Sequence, residues 1–110
     1  MRQRVFLAAV IALAILMMAS PTSSYAAKGV VVLKLSSCDW YIVDAPGGYA
    51  LLEWYGGNEP ERGDVIAGDF ESYGFKDLYN LTSDDELRVW VEDYWLGKAD
   101  ALEQISEQCD

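Results

Sequence analysis

The 110-residue chain contains no histidine, and its only cysteines are Cys38 and Cys109. Without an imidazole there can be no Ser-His-Asp or Cys-His arrangement and no His-liganded zinc. Basic residues are scarce as well: eight Lys and Arg stand against 18 Asp and Glu. Nucleic acid and anionic membranes are recognised through a Lys/Arg footprint, so neither is an expected partner. The glycine pairs Gly47-Gly48 and Gly56-Gly57 lack the lysine and the strand-to-helix setting of a phosphate loop. The longest apolar run, Val5 to Ala19, has 15 residues. A helix needs roughly 20 to cross a bilayer.

That run instead fits a secretory signal. Arg2 and Arg4 supply a charged start, and Ser20 to Ala26 forms a small-residue tail ending Ser24-Tyr25-Ala26. Residues 1–26 are therefore expected to be a signal peptide cleaved after Ala26. Residues 27–110 are expected to be one small β-barrel domain, periplasmic or secreted, with no membrane span after cleavage. Cleavage removes two of the eight basic residues and none of the 18 acidic ones, so the 84-residue mature chain carries a net charge of −12. Such a surface favours solubility.

A domain of this size buries only about 60% of the surface its unfolded chain exposes, which leaves the core alone marginal. Two cysteines in an exported chain predict the remedy, an internal Cys38–Cys109 disulfide. On the chain-entropy description, closing so long a loop adds roughly 4 kcal/mol.

The stretch Gly63–Asn80 reads as two short alternating strands joined by a glycine turn at Tyr73-Gly74. Its Gly-Asp pair occurs twice, at Gly63-Asp64 and Gly68-Asp69, where strands leave turns or bend. Upstream, Val30 to Leu35 predicts a strand with Val31, Leu33 and Leu35 on one face. From Asp39, Trp40 and Ile42 alternate with Tyr41 and Val43. After the turn Ala45-Pro46-Gly47-Gly48, Ala50, Leu52 and Trp54 alternate with Tyr49, Leu51, Glu53 and Tyr55, so residues 39–55 predict a hairpin. The loop Gly56–Arg62 is too short for a crossover helix, which makes the flanking strands antiparallel. Ser83 and Glu86 have the spacing of a helix capping box. Yet Leu87, Val89 and Val91 alternate with Arg88, Trp90 and Glu92, and this period of two predicts a strand. Helical spacing appears only after Gly97, with Ala99, Leu102, Ile105 and Cys109 forming an inward stripe. The predicted fold is mainly β, a small antiparallel barrel or roll, OB-like or SH3-like, of five to six strands with one C-terminal helix.

What chemistry remains rests on carboxylates and aromatic rings. Glu53, Glu59, Glu61 and Asp64 could supply a glycosidase pair, but that reaction needs a cleft which a barrel this small hardly offers. Asp84-Asp85-Glu86 and Glu92-Asp93 group hard oxygen ligands without the spacing of a twelve-residue calcium loop. No cofactor and no metal site is predicted. Of 14 aromatic residues, all but Phe6 and Tyr25 fall in the mature chain. Trp90 stands between Arg88 and Glu92 on its own face, and consecutive Tyr94 and Trp95 must point to opposite faces of a strand. Tyr49 and Tyr55 share a face with Glu53. Trp90, Trp95, Tyr94, Tyr55 and Glu53 are therefore the candidate ligand-binding residues, an aromatic and acidic surface patch. The competing expectation is that the C-terminal helix covers Trp90. The expected function is an exported, non-catalytic binding or interaction module whose partner is a protein, peptide or glycan of the cell envelope. A small carboxylate-dependent hydrolase, a calcium-binding protein and a purely structural envelope protein are the alternatives.

Overall fold

The alternations at residues 39–55 and 87–92 become neighbouring walls of a closed barrel. The computed structural model describes residues 25–109, so the signal-peptide expectation falls almost wholly outside the described residues. Six strands precede one helix: β1 (Ala27–Lys34), β2 (Trp40–Ala45), β3 (Gly48–Gly57), β4 (Val65–Gly68), β5 (Gly74–Asn80), β6 (Asp85–Leu96) and α1 (Lys98–Gln108). Their order around the barrel is β1-β2-β3-β6-β5-β4, and every neighbouring pair is antiparallel. The described strands thus form two three-stranded meanders. Pairing of β3 with β6 joins them on one side, and pairing of β1 with β4, from Ala27↔Gly68 to Val30↔Val65, closes the other. Among the described residues no helix is long and apolar enough to cross a membrane.

Alternation sorts side chains into two apolar layers. Val31, Tyr41, Val43, Ala50, Leu52, Ile66, Leu78, Leu87, Val89 and Val91 fill the barrel. The opposite faces of β2 and β3 turn Ile42 and Leu51 outward, where Ala101 and Ile105 of α1 cover them. Each Val, Leu or Ile side chain among them, fully buried, contributes about 1.5–3 kcal/mol. The Cys38–Cys109 disulfide is formed, with Cα atoms 5.7 Å apart, and it ties the end of α1 to the β1–β2 connection.

One barrel end is closed by polar chemistry. Asn80 is fully buried at the end of β5. Its Nδ2 donates to Asn58 Oδ1 at 2.9 Å and to Asp64 Oδ2 at 2.8 Å, while its Oδ1 accepts from the backbone N–H of Thr82 at 3.0 Å and Ser83 at 3.2 Å. The loop from Asn58 to Asp64 is pinned across that end, and Trp54 donates its indole N–H to the Asn58 carbonyl at 3.0 Å.

Three expectations need correction. In β1 the register passes from Val31↔Val43 to Leu33↔Ile42, so Val32 is an extra, bulged residue. Val31 consequently faces the barrel interior while Val32 and Leu33 pack in the helix-side layer, and Leu35 is exposed. The β4–β5 connection is Asp69–Tyr73 and not a tight turn at Tyr73-Gly74. Its Phe70 is fully buried and plugs the second barrel end. On α1 the inward positions are Ala101, Ile105 and Cys109, whereas Ala99 is exposed and Leu102 is 44% exposed. The disulfide fixes the C-terminal end of α1, and the helix presents to Ile42 and Leu51 the face that carries Ala101 and Ile105 four residues apart.

Candidate functional site

Across the outside of four adjacent strands the registers Trp40↔Glu53, Glu53↔Trp90 and Phe75↔Trp90 set one transverse row. Its inner neighbours Tyr41, Leu52, Val89 and Val91 face the core, so alternation obliges Trp40, Glu53 and Trp90 to face out. Trp40 is drawn into the helix-side layer. Trp90 is half-buried, its ring meeting Phe75 nearly edge-on with centroids 4.9 Å apart at 74°. Tyr55 extends the row. The register steps from Trp54↔Val89 to Gly56↔Arg88, leaving Tyr55 as a bulged residue. Its ring meets Phe75 at 4.8 Å and 90°. Tyr55 and Phe75 keep 53% and 48% of their surface open.

Charge frames these rings. Arg88 sits with its guanidinium 5.3 Å from the Phe75 ring centre and 3.4 Å from Asp77, an arrangement in which a cation gains from the ring face. The negative charge of Glu53 raises the Tyr55 phenol above its ordinary pKa of 10.0. Three of the five candidate residues, Trp90, Tyr55 and Glu53, are therefore brought together on the β3-β6-β5 face. Phe75, which links them, was not singled out in the sequence. Its outward direction follows from Leu78 and Asn80 pointing in along the same strand, a signal available only once β5 is known to begin at Gly74.

Tyr94 and Trp95 lie elsewhere. A second irregularity in β6 steps the register from Leu52↔Val91 to Leu51↔Asp93, so Glu92 is bulged and the alternation inverts beyond it. Tyr94 then packs against the barrel core, with Tyr73 at 4.8 Å and Trp95 at 5.0 Å. Trp95 is 64% exposed, takes a left-handed backbone conformation at φ 55°, and donates its indole N–H to Glu71 Oε2 at 2.7 Å. Its backbone lies hard against the β2–β3 turn, where a Cβ on Gly48 would come within 2.9 Å of the Trp95 Cα. Tyr73 and Glu71 complete this second cluster. Tyr49, expected beside Tyr55, packs in the layer covered by α1.

The helix rests on β2 and β3, and the side chains it covers do not include Trp90, whose ring meets Phe75. Five of the acidic groups considered for catalysis or calcium, Glu59, Glu61, Asp64, Asp84 and Asp93, are held in other contacts. Lys34 pairs with Glu59 at 3.4 Å and Glu61 at 3.5 Å, Asp64 accepts from the Glu61 N–H at 2.9 Å, and Asp84 accepts from the Tyr79 hydroxyl. Asp93 accepts from Gln104 at 2.9 Å and from the Tyr94 N–H at 2.9 Å. Among the described residues no group of three or more Cys, Asp or Glu could hold a metal ion. No family model, curated protein or solved structure matches the chain.

Proposed function

We propose that this is an exported, non-catalytic binding module that captures a protein or peptide of the cell envelope on the outer face of β3, β6 and β5. The observation that carries the reading is the contiguous Trp90–Phe75–Tyr55 row, bordered by Glu53, Asp77 and Arg88. Exposed aromatic rings with a charged rim are the composition of protein-binding hot spots. The rings are steeply inclined to one another, at 74° and 90°, and so offer no common plane on which a sugar could stack. A ridge of this kind suits intercalating side chains. A closed barrel also has no free strand edge, which leaves side chains to do the recognition.

Export is tested by the mass of the processed protein, expected to begin at Ala27. The binding face is tested by comparing the envelope proteins retained by the wild type with those retained by Phe75→Ser and Tyr55→Ser. Both variants are expected to stay within about 1 kcal/mol of wild-type stability, because both rings are half open to solvent. They are expected to lose a specific partner at least tenfold, while Trp95→Ser retains it. Identical retained sets for all four proteins would remove the proposal.

A further inference from the structure

Between α1 and the β1–β2 wall lies a groove of about 320 Å³. Val32, Leu33 and Ile42 form its floor, Leu102 forms a half-exposed lip, and Arg62 and Lys98 stand at its margin. The bulge at Val32 and the rotated face of α1 together create it, since they turn Val32 and Leu33 toward the helix and leave Leu102 beside them.

The cations are the informative part. Of the six Lys and Arg in residues 27–110, Lys34, Lys76 and Arg88 pair with carboxylates, and Lys28 stands 5.8 Å over the Tyr25 ring. The other two, Arg62 and Lys98, make no ion pair among the described residues, in a chain with 18 acidic groups, and both border this one apolar groove. From this charge complementarity we infer that the groove binds a small amphiphilic carboxylate, of the medium-chain fatty-acid class. The carboxylate accepts from Arg62, whose fork donates to it in bidentate fashion, and from Lys98. The chain lies on Val32, Leu33 and Ile42 beneath Leu102. The volume is at the lower end of the roughly 300–1,000 Å³ typical of small-molecule sites, which limits the ligand to a single short chain.

The test is titration calorimetry of the disulfide-intact protein with octanoate, decanoate and decanol, with amide shift mapping by NMR. Decanoate is expected to bind roughly fifteenfold tighter than octanoate, because each of the two extra buried methylenes adds about fourfold. The double variant Arg62→Gln/Lys98→Gln changes two exposed side chains and keeps the fold. It is expected to weaken decanoate at least tenfold while leaving decanol unchanged. Phe75→Ser should bind decanoate normally, which separates this site from the aromatic face. Equal affinities for octanoate and decanoate, an unaffected double variant, or shifts centred on β5 and β6 would each overturn the assignment.

Discussion

Asn80 shows how much of this fold hangs on one side chain. Four hydrogen bonds satisfy its amide inside the barrel end and pin a loop that comes from 16 to 22 residues earlier in the chain. Asn80→Ala would leave the N–H groups of Thr82 and Ser83 and the Asn58 and Asp64 side chains without this partner, and an unpaired buried group costs about 1–3 kcal/mol. Urea unfolding is expected to show a loss of about 2–4 kcal/mol, with faster amide exchange in residues 58–64. Unchanged stability would mean that the loop is held by something else. Nothing in the sequence announces this role. An Asn before Leu81-Thr82-Ser83-Asp84 reads as an ordinary turn residue, and its partners are named only by the closure of the barrel. Phe70 was hidden for a related reason, since a single apolar anchor within a loop has no period.

The strands were legible where alternation runs unbroken, as in β2 and the first half of β3 and β6. They were not legible at Val32, Tyr55, Glu92 and the Tyr94-Trp95 step, because a bulged residue adds one position without changing the letters around it. These positions decide which rings share a face, so the arrangement of the candidate residues was half readable: Trp90, Tyr55 and Glu53 share the β3-β6-β5 face, whereas Tyr94 and Trp95 belong to a separate cluster. The short strand β4 offers a direct test at this scale. It pairs with β5 only at Ile66↔Asn80 and Ala67↔Tyr79, and ends at Gly68 with φ +140°. A Cβ there would sit 2.7 Å from Leu78 Cδ2. Gly68→Val is therefore expected to cost about 2–4 kcal/mol from backbone strain and overpacking together. Gly97→Ala, with open space around it, should be near neutral. Thermal unfolding distinguishes them, and equal midpoints for the two variants would contradict the packing described here.

Across the whole molecule the acidic composition reaches the tyrosines. The hydroxyl of Tyr79 donates to Asp84, which pushes its pKa up to about 12. The charge of Asp93 raises Tyr73, the charge of Glu53 raises Tyr55, and burial, aided by Glu59 and Asp39, raises Tyr41. Below pH 10 these phenols are protonated whether the chain is folded or not, so stability there does not depend on them. Above it the unfolded chain releases protons that the folded protein retains, and stability falls as pH rises from about 10 toward 12. Tyrosinate absorbance should rise later for the folded protein than for the urea-unfolded chain; superimposable curves would refute the ordering. The covalent layout has a mechanical meaning too. The Cys38–Cys109 bond encloses β2 through α1 in one ring and, among the described elements, leaves β1 outside it. Tension applied beyond Cys109 passes through the sulfurs into the β1–β2 connection and bypasses everything between. Among the described residues, stretching thus acts on β1 and peels it out of its pairings with β2 and β4, while the ring of five strands and a helix keeps its contour.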